Sequence, residues 1–228
     1  MKEDFEKYWL GKFSRSMEDI IGKEAKDKIM DGSDSFSDSS DRNEVISWSK
    51  RAMEDLDELV DAENRIEIMT RCACEYPKSE LREMRKKYEE TRSVEMAHGM
   101  LRDKFVFFLK DALHLDTGLI NDIMDRGWGV AGRLEGNKII ATKIPKSGYL
   151  VDYMNETVAV KKRAIYCHCP RVREALKRGV QISPTYCYCG AGFYKGIWEE
   201  ILQKPVKVEV LESVMRGDDV CKIAISLP

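Results

Sequence analysis

The sequence predicts an α+β fold, in which N-terminal helices pack on a C-terminal antiparallel sheet that carries two further helices. Up to about residue 132, apolar residues recur at three- and four-residue steps, the spacing of a buried helix face. Further on, Val206, Val208 and Val210 alternate with charged residues, as in a half-buried strand, and a Gly-Asp turn separates them from a second strand-like run at 220–227. Helices first and strands later is the order typical of α+β proteins.

A single domain is expected over residues 1–228, with a helical part at 1–132 and a cysteine-rich α+β part at 133–228. The first helix is predicted over residues 3–22, where Gly22 could end it. We expect its aromatic stripe to pack against the main body. The stripe consists of Phe5, Trp9 and Phe13. The Ser/Asp-rich residues 31–42 are typical of a solvated loop.

The remaining helices of the first part follow from capping residues and apolar spacing. Asn43 is predicted to cap one helix, and Ser79, which follows Pro77, is predicted to cap a strongly charged one. Residues 94–112 and 116–126 have the apolar spacing of two more helices.

The glycine-rich segment 127–132 has the GxGxxG spacing of a dinucleotide-binding loop. That motif requires a strand before it and a helix after it, whereas here a helix comes first, so we interpret the segment as a turn. Residues 139–142 predict a strand, and residues 149–153 and 157–165 are interpreted as part strand and part turn. The two helices of the second part are expected at 171–178 and 191–202.

Composition narrows the possible functions. The chain has 38 basic and 40 acidic residues, and this balance lacks the basic footprint of a nucleic-acid-binding protein. No apolar run approaches the roughly 18 residues of a membrane span, and the first residues lack a secretory signal pattern, so we expect a cytoplasmic protein without a membrane partner. Thiols stay reduced there, and seven cysteines favour metal binding or redox chemistry over a disulfide framework.

Two Cys-x-Cys pairs lie within residues 164–198, and each pair follows a tyrosine. In an extended backbone, residues i and i+2 point to the same face, so each pair can present two sulfurs side by side. Four thiolates can close a tetrahedral site for zinc, the preferred metal, or hold an iron–sulfur cluster. The predicted ligands are Cys167, Cys169, Cys187 and Cys189; weaker candidates are Cys221, His168, Cys72 and Cys74.

A second hypothesis is thiol chemistry at the same place. Cys187 and Cys189 precede a predicted helix, whose N-terminal amides stabilise a thiolate. Either cysteine could then be the catalytic group of a hydrolase or a thiol-dependent oxidoreductase. In a third interpretation these cysteines are small apolar residues of the core.

The closing segment, residues 209–227, resembles the last hairpin of the 4-vinyl-reductase-type ligand-binding domains and of proteins similar to 2-amino-thiazoline-4-carboxylate hydrolase. The shared features are a strand, the turn at Gly217 and Asp218, and Cys221 followed by alternating apolar residues. The resemblance covers about the last 90 residues. It implies helices packed on an antiparallel sheet, a mostly apolar pocket between these layers, and in several members a zinc ion held by cysteines. Ser213 departs from the pattern, because such domains often have a second cysteine there.

Together these observations predict a protein that binds a small, largely apolar organic molecule and carries a cysteine-lined metal site, with a homodimer as a possible assembly. A thiol- or metal-dependent enzyme is the alternative. An interaction or scaffolding module is the third candidate, which an exposed apolar patch without a pocket would favour.

Overall fold

The computed structural model describes residues 4–228 and has the predicted α+β architecture. Six helices precede the sheet: α1 (Phe5–Met30), α2 (Arg42–Leu59), α3 (Ala62–Arg71), α4 (Lys78–Thr91), α5 (Val94–Phe107) and α6 (Thr117–Asp125). Four more follow its first hairpin: α7 (Leu150–Asn155), α8 (Ala159–Tyr166), α9 (Pro170–Lys177) and α10 (Tyr188–Leu202). The strands are β1 (Arg133–Glu135), β2 (Lys138–Thr142), β3 (Lys207–Glu212) and β4 (Lys222–Ser226).

The four strands form one sheet in the order β1-β2-β4-β3, and every neighbouring pair is antiparallel. Both predicted C-terminal strands are confirmed, and Gly217 makes the turn between them with a φ of 97°. The central pair joins distant parts of the chain, since Thr142 of β2 lies opposite Lys222 of β4.

Helix α1 runs beyond its predicted end but bends there. Gly22 has φ 81° and ψ 171°, a conformation open essentially to glycine alone, and the helix resumes after it as far as Met30. The predicted packing of its aromatic stripe is confirmed, because Trp9 and Phe13 are buried in the core and Phe5 packs against it.

Two predicted helix caps are wrong. The carboxylate of Asp41, not Asn43, caps α2 by accepting from the backbone N–H groups of Asn43 and Glu44. Helix α4 begins directly after Pro77, so that Ser79 lies inside it. Proline suits this position because its φ is already close to the helical value and its missing N–H is not needed there.

The Ser/Asp-rich segment between α1 and α2 is mostly exposed, as predicted, but one aromatic residue anchors it. Phe36 is buried, and its ring meets that of Trp48 edge-on with the centroids 5.9 Å apart. The glycine-rich segment is also confirmed as a turn between α6 and β1, since Gly127, Gly129 and Gly132 all have positive φ.

The prediction of mixed strand and turn before the first Cys-x-Cys pair is wrong, because α7 and α8 occupy these residues. Exposed valines misled the interpretation: Val151 and Val160 lie on the helices with more than half of their surface exposed, at 60% and 54%. β-branched residues favour strands only weakly, and tertiary context overrides the preference.

Helix α10 is the element on which the other layers meet. It packs on α3, α4 and β3, and its own Trp198 is completely buried. At Gly192 the approach to α3 is so close that a Cβ atom would lie 2.0 Å from the carbonyl oxygen of Thr70. The start of α10 is therefore fixed in place, and this start carries the second Cys-x-Cys pair.

None of the helices within residues 4–228 has the length and apolar character needed to cross a bilayer.

Candidate functional site

The first Cys-x-Cys pair has the extended backbone that the sequence predicts. Cys167 ends α8 with ψ 136°, and Cys169 begins α9 with ψ 123°. Cys167 is buried and Cys169 half-buried, whereas His168 between them is exposed. The Nε2 atom of His168 lies 2.8 Å from the carbonyl oxygen of Ile144.

The second pair is helical, and here the expectation of an extended backbone is wrong. Cys187 has φ −69° and ψ −14°, and Tyr188 continues in the same conformation as the first residue of α10. Residues i and i+2 diverge on a helix, so the two sulfurs face different surroundings. The hydroxyl of Ser213 donates to Cys187 Sγ at 2.9 Å, while Cys189 Sγ donates to the carbonyl oxygen of Cys72 at 3.4 Å.

Three cysteines from three segments affect one another's pKa, and Ser213 interacts with two of them, Cys187 and Cys221. We call Cys167, Cys187 and Cys221 the inner thiols. Burial raises the pKa of the Cys167 thiol to about 12, and the charges of Cys169 and Cys221 add to this. Burial likewise raises the pKa of Cys187, with Cys221 and Cys167 contributing. These three thiols therefore lie near enough for the ionisation of one to affect the others.

The two remaining thiols of the pairs, Cys169 and Cys189, form an outer pair against aromatic side chains. Burial raises the pKa of Cys189 to about 12, and Cys169 contributes next. The Sγ atom of Cys169 lies 3.4 Å from the hydroxyl of Tyr186, whose ring stacks on Trp9 with the centroids 5.3 Å apart. The indole N–H of Trp9 makes no hydrogen bond within residues 4–228. It is nevertheless close enough to Cys189 to favour the thiolate and so to oppose the rise in the pKa of this cysteine.

Lys143, just beyond β2, is near enough to both the inner thiols and the outer pair for their charges to affect its pKa. Burial disfavours its charge, but the charges of four cysteines outweigh this and raise its pKa. These cysteines are Cys167, Cys221, Cys189 and Cys169. Gly190 lies beside the amine, since a Cβ there would be in ordinary contact with Lys143 Nζ, at 3.7 Å. Sequence reasoning missed this lysine, because only the fold brings it to the cysteines.

Hydrogen-bond donors face the sulfurs of the inner thiols. The hydroxyl of Ser213 donates to Cys187, and together with the backbone N–H of Val214 it also opposes the burial that raises the pKa of Cys221. Donors and the ammonium of Lys143 stabilise a thiolate rather than a thiol. The surroundings of these sulfurs are therefore suited to negative charge, although burial keeps the metal-free thiols protonated.

A frame of buried polar groups holds the segments that carry the cysteines. The hydroxyl of Tyr166 donates to the carbonyl oxygen of Lys143 and accepts from the backbone N–H of Cys221 at 2.9 Å. On the other side, the guanidinium of Arg171 contacts the carboxylate of Glu6 and lies 4.1 Å from the ring centroid of Trp9. Helix α1 is thereby joined to the start of α9.

The four predicted ligands are not drawn together as one preformed set. Among residues 4–228, no three His, Cys, Asp or Glu side chains are already arranged to hold a metal ion. Of the weaker candidates, Cys221 joins the inner thiols, Cys72 is buried and donates to the carbonyl oxygen of Ile68 at 3.2 Å, and Cys74 is exposed.

The interface between α10 and the sheet, where the resemblance implies an apolar pocket, is filled by side chains such as Trp198, Ile197 and Ile223. The structure has an open cleft of about 380 Å³ beside α10, and Cys74 is one of the residues that line it. Its walls mix charged and aromatic residues. They include Lys12, Glu75, Tyr76, Phe193 and Lys195.

Comparisons with known proteins give one match. Residues 147–228 match the model of DUF6144, a family of unknown function. No curated protein and no solved structure matches the chain. The match covers less than half of the chain, but it includes both Cys-x-Cys pairs, Ser213 and Cys221, whereas Lys143 lies outside it.

Proposed function

We propose that the protein binds a thiophilic metal ion, zinc by preference, through Cys167, Cys187 and Cys221. The observation that carries the proposal is the set of groups that favour thiolates, namely hydrogen-bond donors at Cys187 and Cys221 and the ammonium of Lys143 near all three sulfurs. Ser213, the Val214 amide and Lys143 all favour thiolates. Buried thiols that only fill space need no such donors, whereas metal-bound thiolates regularly have them in the surrounding shell.

The charges of the proposed site balance. Three thiolates and a divalent zinc ion carry one net negative charge, and the ammonium of Lys143 compensates for it. A divalent cation among the sulfurs also offsets the burial that holds the metal-free thiols protonated, because a coordinating thiol is deprotonated outright. Binding therefore releases protons and strengthens as the pH rises.

The proposed set differs from the four cysteines that the sequence predicts. Cys221 replaces the outer pair, since Cys187 and Cys221 share the hydroxyl of Ser213. Metal binding requires the three sulfurs to move together onto the ion, because they are not preformed as ligands within residues 4–228. Three protein ligands leave one position of a tetrahedral zinc open, which is the arrangement of catalytic rather than structural sites.

Cobalt substitution combined with cysteine variants tests the proposal. We expect one Co²⁺ per chain and a thiolate-to-cobalt charge-transfer band in the near ultraviolet. Cys167→Ser, Cys187→Ser and Cys221→Ser should each weaken or remove the band. Added zinc should displace the cobalt and abolish the band. Cys74→Ser is the matched control, because this thiol is exposed in the cleft, away from Ser213.

Two results would contradict the proposal. A band that survives Cys221→Ser but is lost in Cys169→Ser and Cys189→Ser would restore the four-cysteine set predicted from sequence. If the protein gives no cobalt band and retains no zinc, the cysteines serve only as apolar residues of the core.

The thiol-enzyme alternative has less support. Burial raises the pKa of Cys187 and of Cys189, despite their places at the start of α10. A nucleophilic cysteine requires the opposite shift, since the thiolate is the reactive form.

A further inference from the structure

A group of basic side chains lies around Tyr149, contributed by the segment that follows β2 and by α9. The ring of Tyr149 is its centre: Lys146 Nζ lies 5.7 Å from the ring centroid and Arg173 Cζ 5.8 Å. Although the His168 side chain is exposed, partial desolvation of its ring lowers its pKa, and the nearby charges of Lys143, Lys146 and Arg173 lower it further. We call Lys146, Tyr149, His168 and Arg173 the basic patch.

The cations of the basic patch differ from their neighbours on α9. Lys177 and Arg178 both pair with the carboxylate of Glu174. Within residues 4–228, Lys146 and Arg173 have no carboxylate oxygen within 4.0 Å, and the Nη1 atom of Arg173 is covered yet makes no hydrogen bond. A covered guanidinium N–H without an acceptor costs free energy that an anionic ligand would recover.

The start of α9 adds to the positive potential. No side chain caps this helix, but Arg171 and Val172 of its first turn are buried, so the helix contributes through its dipole rather than through exposed amides. The guanidinium of Arg173, in the same helix, lies against the ring of Tyr149. The ring of Tyr149 is 38% exposed and offers a flat surface for an organic group.

We propose that Lys146, Arg173 and Tyr149 form a binding site for a small phosphate-bearing molecule, with the phosphate on the two cations and an apolar group on the tyrosine ring. A guanidinium fork and an ammonium match the oxygen geometry of phosphate. The site does not depend on the proposed metal, although the charge of Lys143 affects the pKa of His168 as well as those of the cysteines.

Calorimetric titration of the full chain with inorganic phosphate and with phenyl phosphate, at constant ionic strength and with a chelator present, tests the site. We expect saturable binding of both ligands, with phenyl phosphate tighter. Lys146→Gln and Arg173→Gln should each raise the dissociation constant about tenfold or more, the usual loss for a charge-assisted hydrogen bond. Lys177→Gln and Arg178→Gln make the same charge changes on paired side chains and should leave it nearly unchanged.

A further variant separates the two parts of the ligand. Tyr149→Leu should weaken phenyl phosphate binding towards that of inorganic phosphate and leave inorganic phosphate unaffected. Equal losses of phosphate affinity in the variants of the patch and in their controls would show that phosphate responds only to the overall charge of the protein, and would overturn the proposal. A lack of saturable binding would overturn it as well. The chelator keeps the result distinct from the cobalt experiment, so either proposal can fail alone. The thermal midpoint of each variant in chloride shows that it is folded.

Discussion

Replacement of Glu6 by glutamine tests whether the first helix is an integral part of the fold. Glu6 and Arg171 are both completely buried, and their side chains contact each other across the interface between α1 and α9. Glu6 also accepts from Arg42 at 2.6 Å, but Arg42 keeps 26% of its side chain exposed. Glu6→Gln therefore leaves Arg171 as a buried charge without a counter-charge, whereas Arg42 remains hydrated.

Removing one partner of a buried ion pair costs about 3–5 kcal/mol. The Trp9 ring, 4.1 Å from the guanidinium, still stabilises the cation, so we expect a loss near the lower end, about 3 kcal/mol. For a domain of this size each kcal/mol lowers the thermal midpoint by roughly 2–4 °C, which gives a decrease of roughly 6–12 °C.

Thermal and urea unfolding followed by circular dichroism measure this loss. Glu18→Gln is the control, because the same change on the same helix removes only an exposed partner of Lys26 and should leave the midpoint unchanged. The double variant Glu6→Gln/Arg171→Met should recover much of the lost stability, since it leaves no buried charge unpaired. Equal midpoints for Glu6→Gln and Glu18→Gln would refute the buried pair and make the start of α1 a loose arm.

Two further predictions concern packing and pH. Gly192→Ala places a methyl group 2.0 Å from the Thr70 carbonyl oxygen and should lower the free energy of unfolding in urea by about 1–3 kcal/mol. Gly196→Ala is the control, because it lies on the same helix with nothing within 4 Å and should be neutral or stabilising. Equal effects of the two substitutions would contradict the close helix contact. In metal-free protein, the pKa values of about 12 for Cys167 and Cys189 exceed the roughly 8.5 of an unfolded thiol. The folded chain then keeps protons that the unfolded chain releases, so the free energy of unfolding should fall from about pH 9 upwards. Urea titrations over that range measure it, and a free energy independent of pH would show that these thiols are not buried.

The sequence predicts elements well where one signal dominates. The alternation at 206–210 and the turn at Gly217 suffice for the C-terminal hairpin, because both are local. The sequence predicts strand and turn where α7 and α8 lie, because both helices are short and expose valines. No local pattern distinguishes such short helices from edge strands.

For the candidate site, the sequence identifies cysteines but not their grouping. The expected pairing by i and i+2 fails at Cys187 because Tyr188 is helical, and this single backbone choice separates Cys187 from Cys189. Cys221 and Lys143 enter the site through the pairing of β2 with β4, which no short-range pattern encodes. The contact of Glu6 with Arg171 is equally non-local.

The pairing of β2 with β4 also constrains the order in which the protein can form during synthesis. The hairpin of β1 and β2 can close early, but its inner edge stays unpaired until residues 222–226 have left the ribosome. Contacts between such distant segments are slow to form, and an unpaired strand edge invites association with other chains. Ile139 and Ala141 are buried in one cluster with Ile223 and Ile225 of β4, so we expect their burial to be incomplete until β4 is made. We therefore expect the nascent chain to expose the unpaired edge of β2 to chaperones until β4 is made.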